Sequence, residues 1–315
     1  MIDEDRIQDR YTDVLLSLLR DNSVDGSRTY GFEYEFLPDR ILDLNDMDAI
    51  YEFLRSMEFS GRDGLFSGCA GMGIAFEPGG QIEFSSIPLY ATDHDVFTCQ
   101  LERIRSVLEG LRNKLGIDYV GTAYVPGRES APLVLLSRRY RLLHERVGLS
   151  GTRGMEMMKG TAAIHLHARV QKPSELIPLF EVMLILSREK DFMLSPERRN
   201  IWENTDDNRC GLPFTDVSGF ATSRDLLKEL VRFALGAVEL QSGCPFVDLE
   251  NVTLDDFLNH MTTIFTDIRL NLKGPSAELR TPDSLPIDRF PDLWHTFVSR
   301  VEKHMQDWQD KVTSM

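Results

Sequence analysis

Apolar residues recur at helical spacing near the start of the chain, at Ile7, Tyr11, Val14, Leu15, Leu18 and Leu19, and the pattern breaks at Asp25-Gly26-Ser27. Similar periodicity predicts helices over about 46–57, 96–115, 174–189, 224–240, 254–263 and 291–312. Between them run segments of period two. In 29–36, Tyr30, Phe32, Tyr34 and Phe36 fall on one face, and Gly31, Glu33 and Glu35 on the other. Gln81, Glu83 and Ser85 oppose Ile82 and Phe84. Thr161, Ala163, His165, His167 and Arg169 oppose Ala162, Ile164, Leu166, Ala168 and Val170, and Glu278 and Arg280 oppose Ala277 and Leu279. Strands with one apolar and one polar face belong to antiparallel sheets, because parallel strands buried on both sides read as continuous apolar runs. The expectation is therefore an α+β fold: a mainly antiparallel sheet with helices covering one face. No internal repeat, low-complexity tract or long linker divides the chain, so one domain over 1–315 is expected.

Composition narrows the partners. Lys and Arg number 35 against 50 Asp and Glu in 315 residues, a formal charge of −15, which disfavours nucleic acid or an anionic membrane surface as the main partner. No run approaches the roughly 20 apolar residues of a membrane-spanning helix, and the first residues are acidic rather than a basic lead into an apolar signal. A cytoplasmic protein is expected. Cys69, Cys99, Cys210 and Cys244 show no C-x-x-C spacing and read as reduced thiols.

The polar strand faces carry the chemistry. Glu33 and Glu35 are two apart on a strand, which places their carboxylates on one face roughly 6.5–7 Å apart. An isolated pair of this kind is most simply a wet sheet face. Repetition changes the picture, since Glu33, Glu35, Glu83, His165, His167 and Glu278 all lie on polar strand sides and could share one surface. Carboxylate oxygens so gathered suit magnesium, with phosphates completing its shell. His165 and His167 lack the Cys or H-E-x-x-H partners of a zinc site. Glu77-Pro-Gly-Gly-Gln81 reads as a hairpin turn whose glycines would let backbone approach a ligand. Arg198, Arg199 and Arg209, with Trp202, Thr205 and Asp206 between them, read either as a salt-bridged polar loop or as a substrate loop gripping a carboxylate or phosphate. Arg138, Arg139, Arg269 and Arg280 are further candidates for phosphate charge. P-loop, Rossmann and serine-hydrolase glycine motifs are absent. A carboxylate-pair glycosidase would leave the histidines and arginines without a task.

Taken in order, several motifs resemble the plant and proteobacterial type of glutamate-cysteine ligase, a branch of the carboxylate-amine ligases. They are Gly31-Phe-Glu-Tyr-Glu35, Glu77-Pro-Gly-Gly-Gln-Ile-Glu-Phe-Ser85 with Pro88-Leu89, Arg139-Tyr140, and Gly154-Met-Glu-Met-Met158 leading into Thr161. The series continues with Arg198-x-x-Ile-Trp202-x-x-Thr-Asp206-x-x-Arg209-x-Gly211-Leu-Pro-Phe214, Asn259-His-x-Thr-Thr-Ile-Phe265 with Arg269, and Glu278-Leu-Arg280-x-x-Asp283. The resemblance implies a glutamine-synthetase-like fold, a curved antiparallel sheet whose concave face binds ATP and magnesium. It implies ATP-dependent formation of γ-glutamylcysteine from L-glutamate and L-cysteine through a γ-glutamyl phosphate, a step of glutathione biosynthesis. By the same resemblance Glu33, Glu35, Glu83, His165 and Glu278 are metal ligands, and Gln81, Arg269 and Arg280 meet the nucleotide. Arg280 and Arg198 would be catalytic, and Arg198, Trp202, Thr205, Arg209 and Arg139 would bind substrate. A homo-oligomer is compatible with all of this.

The chain also departs from the family pattern. Where many relatives carry Gln, Asn and a terminal Asp on the strand after Thr161, this chain has His165, His167 and Arg169, and Thr281-Pro282 replaces a common Gly-Ala pair. After Asp283 only a short helical part follows, shorter than in plant relatives. Two further readings therefore stand beside the first: the same chemistry with a different amine acceptor, or a non-catalytic ligase-like regulator or subunit.

Overall fold

The computed structural model describes residues 4–68 and 71–314. It confirms an α+β protein built on one large antiparallel sheet. The strands are β1 (Thr29–Pro38), β2 (Ser60–Arg62), β3 (Leu65–Ser67), β4 (Gly73–Phe76), β5 (Ile82–Ser85), β6 (Leu89–Tyr90), β7 (Tyr119–Val120), β8 (Ile164–Arg169), β11 (Ile268–Asn271) and β12 (Ser276–Leu279). Along the main path their order is β11-β12-β8-β1-β5-β4-β3-β2, with β6 and β7 also pairing β1. Two short strands apart from this sheet, β9 (Cys210–Gly211) and β10 (Phe265–Thr266), pair in parallel.

The apolar strand faces meet helices as the alternation requires. Tyr30, Phe32, Tyr34 and Phe36 of β1 are buried. The Phe32 ring packs edge-on against Phe97 of α3 (His94–Leu115) and against Phe290 and Trp294 of α10 (Phe290–Thr313), with centroids 5.0–6.0 Å apart. Truncating such a ring to Ala typically costs about 3–5 kcal/mol. α6 (Leu176–Leu186), apolar on nearly every side, packs between the sheet and α10. The periodicity also located α1 (Glu4–Asp21), α2 (Leu44–Ser56), α8 (Ser223–Gly236) and α9 (Leu254–Met261). The last three start on capping boxes, Asp43 with Asp46, Thr222 with Asp225 and Thr253 with Asp256.

One expectation changes. Helices do not cover only the apolar face: α4 (Arg138–Ser150), α5 (Gly154–Gly160) and α7 (Pro196–Glu203) stand over part of the polar face. They are held by a separate apolar cluster of Leu143, Val147, Met157, Met158, Ile201, Trp202 and Cys210. The segment carrying Arg198 and Trp202, read as a loop, is the helix α7. Cys99, Cys210 and Cys244 are free thiols, and Cys69 lies outside the described residues. Among the described residues, no helix is long and apolar enough to cross a membrane.

Candidate active site

Strand register assembles the polar face. β8 sets His165 opposite Glu33 and His167 opposite Gly31, β5 sets Glu83 opposite Glu35, and β12 sets Glu278 opposite His167. β11 then places Arg269 opposite Glu278. Directly opposed side chains on one face lie within reach of each other, so five strands, β1, β5, β8, β11 and β12, deliver their charged groups to one patch. Glu33, Glu35, Glu83, His165, Arg269 and Arg280 line a single cleft, walled on its far side by Tyr140, Leu143, Met157 and Trp202 from the roof helices.

Within the cleft the charges are sorted. Glu33 Oε2 lies 2.8 Å from His165 Nδ1, and Glu35 Oε1 lies 3.8 Å from His165 Nε2. Glu35 Oε2 also accepts a 2.7 Å hydrogen bond from the Ala163 N–H. The buried Glu278 carboxylate accepts from Arg269 Nε at 2.9 Å and Nη2 at 3.0 Å, and from Arg280 Nη1. Burial opposes ionisation of Glu278, yet Arg269 and Arg280 outweigh it and hold the carboxyl well below the usual range. For Glu33 burial is again outweighed, by the His165 hydrogen bond and the neighbouring His167 imidazole, and the carboxyl falls to about 2. Glu83 goes the other way. Burial, then the neighbouring Glu33, Glu77 and Glu35, push it well above the usual value. Glu77 rises to about 8, through burial first and Glu35 second. The face thus holds more carboxylates than its own cations can balance.

That imbalance fits a metal site. Glu33, Glu83 and His165 form one group whose ligand atoms lie within 4.8 Å of one another, and Glu33, His167 and Glu278 form a second. His167 Nδ1 is 3.2 Å from Ser276 Oγ, while among the described residues its buried Nε2 has no hydrogen-bond partner. With Nδ1 donating to Ser276, Nε2 carries the lone pair that a cation needs. Carboxylate oxygens with an imidazole nitrogen suit a hard divalent ion such as Mg2+ or Mn2+.

The remaining residues expected at the site divide into two sets. Arg139, on α4, lines the cleft and donates to the Thr262 carbonyl and hydroxyl at 3.2 and 3.0 Å. Trp202 lines it too, with Nε1 donating to the Phe265 carbonyl at 2.9 Å. Among the described residues the buried Arg280 Nε has no hydrogen-bond partner, which leaves it as a donor there. The Arg198 guanidinium borders the cleft and its two Nη groups donate to the carbonyls of Arg280, Thr281 and Pro282 and to Asp283 Oδ1 at 2.8–3.1 Å, while among the described residues its buried Nε has no hydrogen-bond partner. Gln81 is likewise committed, its Nε2 to the Met158 and Thr161 carbonyls and its Oε1 to the Gly79 N–H. Thr205 and Arg209 lie away from the cleft: Thr205 Oγ1 donates to Ile201 O, and Arg209 pairs with Asp206 and donates to Thr263 and the Val238 carbonyl. The turn glycines serve the fold, since a Cβ on Gly79 would sit 2.6 Å from the Lys159 carbonyl oxygen. Glu77 and His167 were missing from the sequence-derived ligand set, although both lay in segments that the alternation and the turn had marked.

A family model described as glutamate-cysteine ligase family 2 matches residues 29–187, just over half of the chain. The chain belongs to this family. The matched region runs from β1 into the end of α6 and includes Glu33, Glu35, Glu77, Glu83, His165 and His167. Over 309 residues the chain is 28% identical to a chloroplastic glutamate–cysteine ligase of Solanum lycopersicum, a match covering 84% of this chain and 57% of that protein. The corresponding Nicotiana tabacum protein gives the same figures, and glutamate–cysteine ligase A of Oryza sativa subsp. japonica is 27% identical, with 84% and 60% covered. The chain therefore spans less than two thirds of the length of these family 2 relatives.

Proposed function

We propose that this family 2 protein is an ATP-dependent glutamate–cysteine ligase, joining the γ-carboxyl group of L-glutamate to the amine of L-cysteine. The observation that carries the reading is the convergence of Glu33, Glu35, Glu83, His165 and Arg280 in one cleft, with the buried Glu278 carboxylate paired to Arg280 behind it. A γ-carboxylate oxygen attacks the terminal phosphorus of ATP and ADP leaves; the amine then attacks the acyl carbon, losing a proton as phosphate departs. Bound divalent ions would supply charge neutralisation for the phosphates. The chain supplies placement. Glu33, Glu83 and His165 would hold one ion, and Glu33, His167 and Glu278 the other. Arg280 donates to oxyanion charge from its unpartnered Nε, and the Glu278 carboxylate fixes its orientation. Trp202, Leu143 and Met157 exclude water, which would otherwise hydrolyse the acyl phosphate. A glutamine-synthetase-like sheet and a single catalytic domain are part of the same reading, supported by the antiparallel order and by the carboxylates on one sheet face.

The test is direct. Purified protein with ATP, Mg2+, glutamate and cysteine should release ADP and phosphate in step with γ-glutamylcysteine, detected by mass spectrometry. Folded protein that releases ADP only with another amine would change the acceptor; no ADP with any amine would end the ligase reading.

A further inference from the structure

The polar sheet face continues past Glu33 into a second cavity that the proposed chemistry leaves unassigned. Ser85 and Ser86 border it on one side, and His167, Arg169 and Ser276 on the other. Glu33 lines both cavities, and among the described residues it is the one carboxylate of the second. Its charge is already engaged by His165.

Among the described residues two buried nitrogen atoms here lack hydrogen-bond partners, His167 Nε2, which lies 3.7 Å from Glu33 Oε1, and Arg169 Nε. Among the described residues the Arg169 guanidinium makes one hydrogen bond, a long 3.4 Å donation to the Asn22 carbonyl. Its backbone is well fixed. The Arg169 carbonyl accepts from Arg28, which is itself paired with Glu175 at 3.1 Å, and Ser276 lies directly opposite Arg169 on β12. A guanidinium carried on this fixed backbone, with a donor left over and, among the described residues, no carboxylate paired to it, is set for an anion from outside the chain.

We propose that Arg169 makes the second cavity an oxyanion subsite, which binds one anionic group of a substrate beside the Glu33–His167–Glu278 ligand group. Planar guanidinium donors fit a phosphate oxygen or a carboxylate equally well, so the group belongs either to the nucleotide or to an amino acid. This inference rests on the ligase reading for the identity of those substrates, but binding can be measured without turnover.

Titration calorimetry of Arg169→Gln and Arg169→Lys against wild type, with Mg2+ present, provides the test, using tripolyphosphate, ATP, glutamate and cysteine as separate probes. An unchanged thermal midpoint would establish that both variants are folded. Binding of one anionic probe should weaken at least about tenfold in Arg169→Gln, with partial recovery in Arg169→Lys. Loss for tripolyphosphate and ATP identifies a phosphate, and loss for an amino acid alone identifies a carboxylate. Wild-type affinity of both variants for every probe would overturn the subsite, even if the ligase assay succeeds. Weakened binding in a protein that makes no γ-glutamylcysteine would retain the subsite and reject the ligase reading.

Discussion

Glu33 and His165 oppose each other across the β1–β8 ladder, and their side chains meet at 2.8 Å although 132 residues separate them in sequence. Glu33 is also common to both candidate metal groups. Glu33→Gln should therefore abolish binding of both ions, whereas Glu83→Gln should remove one. Mn2+ titration followed by electron paramagnetic resonance counts the sites, and full occupancy in Glu33→Gln would show the shared ligand to be misassigned.

Glu83 is costly to the metal-free fold because burial and the Glu33 charge both oppose its ionisation. Removing that charge should leave the metal-free protein as stable as wild type or more so, by about 1 kcal/mol. Mg2+ should then raise the melting temperature of wild type more than that of Glu83→Gln, through binding to the native state alone. Equal Mg2+ shifts in scanning calorimetry would argue against a ligand role.

Arg198 should behave as a structural clamp. Removing its side chain leaves Asp283 and the carbonyls of Arg280, Thr281 and Pro282 without their donor. Arg198→Ala is expected to lose about 3–5 kcal/mol in urea denaturation. Full stability with only a raised KM for glutamate would restore the substrate-binding role read from the sequence.

His260 gives a pH signature outside the cleft. Its Nε2 donates to the Ala234 carbonyl at 2.8 Å, and burial holds its pKa down to about 4, below the 6.5 of an exposed imidazole. The unfolded chain takes up this proton first, so the contribution to stability is intact above pH 6.5 and is lost as pH falls towards 4. Wild type should lose up to ~3 kcal/mol more than His260→Gln across that window, measured by chemical denaturation at each pH. Parallel pH curves would show that His260 does not titrate as described.

The strand faces were legible because alternation alone fixes which side chains share a surface, and Glu33, Glu35, Glu83, His165, His167 and Glu278 needed no more than that. Helices α4, α5 and α7 were not legible. They are short, α4 and α7 are rich in arginine while α5 carries three methionines, and their apolar stripe makes sense only against one another. The backbone contacts of Arg198 and Gln81 were not legible for a related reason. Their acceptors are backbone carbonyls about 80 residues away, which no side-chain motif announces.

β1 pairs with β5, β6, β7 and β8, and β8 in turn with β12. A chain emerging from the ribosome therefore presents Glu33 and Glu35 long before His165 and Glu278 exist to meet them. Until residue 164 is made, one edge of β1 lacks its main neighbour, an open ladder that invites pairing with other nascent chains. The Glu33–Glu83–His165 group is complete once β8 has been made, and the Glu33–His167–Glu278 group only after β12, so a bound ion would join folding at two separate stages.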